Sequence, residues 1–258
     1  MRYPLQPILE SSSYYTQYFF RDHGIDLGLI YRFEIKPEAS LPVVVVPDNS
    51  VDLVFHCNIN DPGACFYGMT SKAWSPPRHI PGERYVGVRF NSDRLLGVTG
   101  YLEKDFLAQA IDFNLVAKSR DCWVERICFE QDPVKQMRLL EEFLKKSYDP
   151  QKEMPPLVWF CYRHIVDTAG QISVAELSQQ SGYSQRYVLK CFKDYYGVGI
   201  KLFSRIVRFQ YTMSMVRSSK VGFAHIAAEM GYTDQAHMTH EFQLFSPLTP
   251  KKIMEIGF

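Results

Sequence analysis

The stretch VAELSQQSGYSQRYVLKCFKDYYG at residues 174–197 is echoed by FAHIAAEMGYTDQAHMTHEFQLFSP at 223–247. Each copy has a short amphipathic segment, a Gly-Tyr turn, and a second amphipathic segment that closes on large apolar residues. These are Val188, Phe192 and Tyr195 in the first copy and Met238, Phe242 and Phe245 in the second. The copies are offset by 49 residues before the turn and 50 after it, because the second turn is one residue longer. Two short helices joined through a glycine turn make a helix-turn-helix. Two copies fall short of the three or so repeats that a stacked array needs. Between them, Leu202, Phe203, Ile206, Phe209, Met213 and Val216 follow helical spacing within residues 199–220. A helix of some 19 residues is about 28 Å long, against about 34 Å for one turn of duplex DNA.

The helical period separates a core from an outward face, since each residue advances by about 100°. With Val188 at 0°, Phe192 and Tyr195 fall within about 40° of it, whereas Arg186, Leu189, Lys190 and Lys193 lie between about 100° and 200°. In the second copy Ala236, Thr239, His240 and Gln243 take the outward positions. Arg, Lys, Gln, Thr and His donate to phosphates or read base edges, and no carboxylate falls on either arc. Residues 157–258 hold 11 Lys+Arg against 7 Asp+Glu, a charge of +4, while residues 1–156 hold 18 against 21, a charge of −3. The basic third therefore suits a polyanion.

His237, His240 and Glu241 invite a metal-site reading, since residues three apart share a helix face. Neither His-Glu-x-x-His nor its inverse is present, because Glu241 directly follows the second histidine. The trio is therefore assigned to the second recognition helix, and no metal is expected.

The first hundred residues carry short β-like runs at 27–35, 42–46, 51–59, 64–69 and 84–90, punctuated by KPEAS, PDNS, NDPG and SPPRHIPGE. That spacing suggests an antiparallel barrel or sandwich. From about Ser92 the period becomes helical, in DRLLGVTG, EKDFLAQAIDFNLV, DCWVERICFE and DPVKQMRLLEEFLKKSYD. In the last, Val134, Met137, Leu140 and Leu144 form a stripe that either packs on its own barrel or pairs with a twin helix in a second subunit. Residues 148–156, YDPQKEMPP, read as a linker. The six cysteines show no Cys-x-x-Cys pair and suit free thiols in a reducing compartment. No apolar stretch approaches the roughly 20 residues that span a bilayer, so a cytoplasmic protein without membrane contact is expected.

The C-terminal hundred residues resemble the DNA-binding domain of the AraC/XylS family of bacterial transcription regulators. ISVAELSQQSGYSQRYVLKCFKDYYG matches its first helix-turn-helix and IAAEMGYTDQAHMTHEFQLFSPLTPKKI its second, including the S/T-P terminus. Pro247, Ile200 and Met254 depart from the glycine, proline and arginine common in the family, and His240 stands where an arginine is often presented. The resemblance implies that Arg186, Leu189 and Lys190, with Gln235, Ala236, Thr239 and His240, face the bases. Ser184, Lys193, Arg205, Arg208, Lys220 and Gln243 are then expected on the DNA backbone. It also implies a cupin-like barrel ahead of that domain, and VPDNSVDLVFHCN and YVGVRFNSDRLLGVTG are similar to one subgroup's N-terminal domain.

The fold expected is therefore α+β. A cupin-like ligand-sensing and dimerisation domain would occupy 1–147, with its barrel at about 1–91 and helices at 92–147. The linker at 148–156 and an all-α double helix-turn-helix domain at 157–258 would follow. Polar residues that could face a barrel pocket are Arg32, Glu34, His56, Trp74, Arg78, His79 and Arg89. The expected function is sequence-specific transcription regulation by a homodimer under small-molecule control, with double-stranded DNA and RNA polymerase as partners and no cofactor. A cupin-type metal enzyme is the alternative, disfavoured because His23, His56 and His79 are isolated, with no His-x-His.

Overall fold

The computed structural model describes residues 5–11, 13–22, 25–37, 43–76, 79–117, 122–218 and 221–256. A short helix α1 (Pro7–Ser11) precedes strands β1 (Ser13–Asp22), β2 (Ile25–Ile35), β3 (Asp52–His56), β4 (Gly63–Tyr67) and β5 (Arg84–Phe90). Helix α2 (Leu95–Thr99), a 3-10 turn (Glu103–Phe106), β6 (Ala110–Asp112), α3 (Phe113–Val116), α4 (Trp123–Phe129) and α5 (Pro133–Ser147) complete the N-terminal part. The strands form one antiparallel sheet in the order β1-β2-β5-β3-β4-β6. β1 and β6 sit at opposite edges and do not pair, so the sheet is open rather than the expected closed barrel.

Three elements depart from the sequence expectation. Of the run expected at 42–46, the described residues 43–46 supply only an isolated bridge, Val45 to Trp74. The helical run expected at 103–116 is broken into the 3-10 turn, β6 and α3, because Phe66 on β4 recruits Ile111 opposite it. β1 is a ten-residue strand in a polar-aromatic segment that carries no turn punctuation.

Alternation gives the sheet two different faces. Ile30, Leu53, Phe55, Phe66, Val86 and Val88 join Trp123, Ile127, Leu140, Phe143 and Leu144 in a single core. Leu140 and Leu144 are thus consumed within the chain's own core, with Met137 packed against it and only Val134 standing exposed. The stripe makes an intrachain contact, as the first of its two expected alternatives has it. On the other face Tyr31, Phe33, Ile35, Val54 and Tyr85 cluster with Leu9 of α1. Gly87 lies between Tyr31 and Val54 in register. A Cβ there would sit 2.6 Å from Cζ of Tyr31, so the ring lies over the strand only because this residue has no side chain.

The C-terminal part is α6 (Pro156–Asp167), α7 (Val174–Ser181), α8 (Gln185–Tyr196), α9 (Ile200–Ser218), α10 (Phe223–Glu229), α11 (Gln235–Phe245) and α12 (Pro250–Glu255). Its helices start where local chemistry dictates. Ser173 and Glu176 form a capping box on α7, and Ser184, Asp234 and Thr249 accept from backbone amides at the starts of α8, α11 and α12. Both turns use a left-handed glycine, Gly182 at φ 74° and Gly231 at φ 70°.

Residues 148–156 are less free than a linker. Met154 is buried among α6 and α8 side chains, and the Asp149 amide donates to Gly97 at 2.9 Å. The two parts also meet directly. Gln210 on α9 accepts from the Leu5 amide at 2.8 Å and donates to the Pro47 carbonyl at 2.8 Å. Asn49 Nδ2 donates to the Phe203 carbonyl at 3.0 Å, and Arg217 pairs with Glu10 at 3.1 Å.

Candidate nucleic-acid interface

The helix carrying the outward face of each repeat is fixed by its buried side. In α8, Val188, Phe192, Tyr195 and Tyr196 are buried against Phe203 and Val207 of α9. In α11, Met238, Phe242 and Phe245 pack on Ile206, Phe209 and Met213 of the same helix. One 19-residue helix therefore serves both cores.

Arg186, Leu189, Lys190 and Lys193 are exposed on α8, as are Gln235, Ala236, His240 and Gln243 on α11. Thr239 is half-buried, and its hydroxyl donates back to the Gln235 carbonyl at 2.9 Å. Ser184 is occupied as the α8 cap. Tyr183 and Tyr187 are also exposed, with rings 5.2 Å apart. Sequence reasoning passed over this pair because Tyr187 falls between the core and outward arcs.

Asp194 reaches Lys190 at 2.8 Å, so the α8 face is not free of carboxylate. The pair holds the lysine above and the aspartate below their ordinary ranges, through the hydrogen bond between them. Because both ends are exposed, the interaction is weak and would exchange readily for a phosphate.

Two residues assigned to the DNA backbone are engaged elsewhere. Arg205 makes a two-pronged pair with Glu241, Nε to Oε2 at 2.8 Å and Nη2 to Oε1 at 2.9 Å, and lies over the Phe245 ring. Arg208 donates to the Gly170 carbonyl at 2.9 Å and lies over Tyr232. Both hold α9 to neighbouring elements, and nothing in their sequence positions reveals it, because the partners are 36 and 38 residues away. Arg205→Ala is expected to destabilise the fold by roughly 1–2 kcal/mol, since a half-buried carboxylate loses its planar partner. The salt dependence of DNA binding should stay unchanged, and a salt slope reduced by about one would restore Arg205 as a phosphate contact. Lys220 lies outside the described residues.

The histidine trio separates. His237 Nδ1 lies 3.0 Å from the Thr233 hydroxyl, Glu241 is paired with Arg205, and His240 points outward. Among the described residues no group of three His, Cys, Asp or Glu side chains could hold a metal ion. The described cysteines are free thiols.

Of the expected pocket residues, Trp74, His79 and Arg89 line one cavity on the Tyr31–Phe33 face of the sheet. Arg32 and Glu34 alternate with Tyr31 and Phe33 along β2 and line none of it. His56 is buried beside it, 3.0 Å from Glu83 and stacked on Tyr85. Arg78 lies outside the described residues.

The short helix pairs α7–α8 and α10–α11 thus both pack on the one connecting helix α9. Residues 177–255 match the family described as a helix-turn-helix domain. The chain is 30% identical over 87 residues to the F1 operon positive regulatory protein of Yersinia pestis, a stretch covering 34% of this chain and 29% of that protein. Among solved structures, the C-terminal domain of AraT, a response regulator from Geobacillus stearothermophilus, is 16% identical. It covers 39% of this chain and 85% of that one at a TM-score of 0.37. An apo ToxT variant from Vibrio cholerae strain SCE256 is 11% identical and covers 96% of this chain and 98% of that one, at a TM-score of 0.46. Residues 177–255 therefore carry a helix-turn-helix domain of the AraC type. Among the described residues, no helix is long and apolar enough to cross a membrane.

Proposed function

We propose that this chain is a sequence-specific DNA-binding transcription regulator, acting on promoter DNA as a homodimer together with RNA polymerase, and controlled by a small molecule bound in its N-terminal half. The observation that carries the reading is the pair of exposed, donor-rich helices α8 and α11 mounted on one buried connector. At about 1.5 Å per residue that connector is about 28 Å long, close to one turn of duplex DNA. Arg186, Leu189 and Lys190 on α8, with Gln235, Ala236, Thr239 and His240 on α11, would face base edges. Lys193, Ser184 and Gln243 would meet the backbone, and Tyr183 and Tyr187 offer further contacts to sugar and phosphate. The Yersinia pestis relative is named as an operon's positive regulatory protein, which supports activation as the mode of action.

The test is fluorescence anisotropy on a duplex selected from a random pool by the full chain. Replacing both Arg186 and Lys190 with alanine is expected to weaken specific binding by roughly 2–4 kcal/mol and to reduce the salt slope by about one or two. Unchanged affinity on that duplex would remove α8 from the interface. Sedimentation of the free chain and of its complex reads the oligomeric state.

A further inference from the structure

The two parts of the chain meet at a buried acid. Glu103 begins the 3-10 turn of the N-terminal part and is 1% exposed. That turn packs on the C-terminal end of α8, where Leu102 and Leu107 join the cluster of Phe192, Tyr195 and Tyr196. The fit is close. A Cβ on Gly197, the residue that ends α8, would stand 3.0 Å from both Leu107 Cδ2 and Lys104 Cβ. Glu103 Oε2 and the Tyr196 hydroxyl are closed off from solvent and have no partner among the described residues.

Among the described residues no positive charge offsets this carboxyl. The groups that act on it are the Ser92 hydroxyl, which donates to it, and the Asp48 carboxylate, which is held by Arg89 together with Asp52. From α6 and α8 the seam presents the phenols of Tyr162, Tyr195 and Tyr196, which burial keeps protonated and the Glu103 charge pushes further the same way. Asp93 is taken by Arg94 at 3.2 Å, Asp105 accepts from the Leu102 amide at 2.8 Å, and Lys104 on the same turn is exposed. A buried carboxylate with one hydroxyl donor and no cation costs far more than the neutral acid.

We infer that this turn is a proton-controlled latch, docked on α8 while Glu103 is protonated and released from it as the carboxylate ionises and takes up water. Phe106, at the far end of the turn, is fixed in the N-terminal core with its ring 5.3 Å from that of Phe66. The turn therefore stays with its own part, and the contact that yields is the one with α8. A closed seam holds the proton up to about pH 8, whereas an open one releases it at the ordinary 4.5. Opening releases a proton between those values. The closed-to-open ratio thus falls by up to about tenfold for each unit of rising pH and levels off above about 8. The latch itself needs no DNA, and its bearing on promoter binding rests on the reading of α8 given above.

Amide hydrogen exchange of the full chain from pH 6 to 9, corrected for the intrinsic rate, tests this. Peptides spanning 102–107 and 192–197 are expected to accelerate by up to about tenfold per pH unit below pH 8, and Glu103→Gln should remove that acceleration while circular dichroism stays native. Ser92→Ala, which deletes the opposing donor and keeps the acid, should carry the acceleration to higher pH. The seam should also exchange faster than the sheet core at 52–56. Equal rates at the seam and in the sheet would mean that only global unfolding exposes the acid, and would overturn the latch. A wild-type seam without the acceleration, or a Glu103→Gln seam that retains it, would overturn it as well, and so would a Ser92→Ala profile that levels off where the wild type does. Binding to the selected duplex is measured separately at each pH. Its absence would reject the regulator reading and leave the latch standing, and a seam without the pH slope would reject the latch alone.

Discussion

Glu103→Gln is expected to stabilise the protein by a few kcal/mol at pH 8 and to leave stability unchanged at pH 4. Glu103 opens the 3-10 turn between β5 and β6 and is 1% exposed. Burial pushes its pKa up to about 8 from an ordinary 4.5, with Ser92 opposing through a hydrogen bond and Asp48 adding a smaller upward push. Its Oε2 and the hydroxyl of Tyr196 on α8 are both buried without a partner among the described residues. The folded chain therefore holds this proton up to about pH 8, whereas the unfolded chain releases it above about pH 4.5. Between those values the folded state binds more protons, so stability falls as pH rises and is level above about 8. At about 1.4 kcal/mol per pH unit the full loss is at most roughly 5 kcal/mol. Glutamine cannot ionise, and its variant should lack this slope. Urea unfolding from pH 4 to 9 reads the difference, and parallel wild-type and variant profiles would show that Glu103 is ionised in the folded state.

Phe203→Ala is expected to cost roughly 3–5 kcal/mol, the range for deleting a fully enclosed aromatic ring. The Phe203 ring is wholly buried, with centroids 4.7 Å from Tyr196, 5.1 Å from Phe192 and 6.2 Å from Tyr162. It fastens α8 to α9, and its carbonyl accepts from Asn49 across the seam with the N-terminal part. The lost ring should lower the melting temperature and weaken DNA binding together, because it packs against the buried side of α8. A loss below about 1 kcal/mol would mean that the surrounding aromatics close the cavity.

The helices of the C-terminal region were legible because each of their signals is local. Caps at Ser173, Ser184, Asp234 and Thr249, glycines at both turns, and the spacing of Val188–Phe192–Tyr195 and Met238–Phe242–Phe245 act within a few residues. Among the pocket candidates, Trp74, His79 and Arg89 came together while Arg32 and Glu34 did not. Strand parity decides that split. Leu29, not Arg32, stands opposite Arg89, whereas Arg32 pairs with Val86, and a period of two places every other residue on the opposite face. Parity can be read only once the register is known. β6 was misread for a related reason, since three residues carry too little pattern to outweigh the helical run around them.

The sequence by itself determined the helical C-terminal region, the length of its connector α9 and the buried stripes of α8 and α11, because period, caps and turn glycines follow from backbone geometry alone. Tertiary structure alone decided that Arg205 and Arg208 brace α9 rather than stand free, and that Leu140 and Leu144 are core. It also decided that Glu103 is buried against α8 and that two aspartates share Arg89. Each of those depends on residues tens of positions apart being pressed together by burial, where the cost of an unpaired charge or an empty cavity selects the partner and no local pattern records the choice.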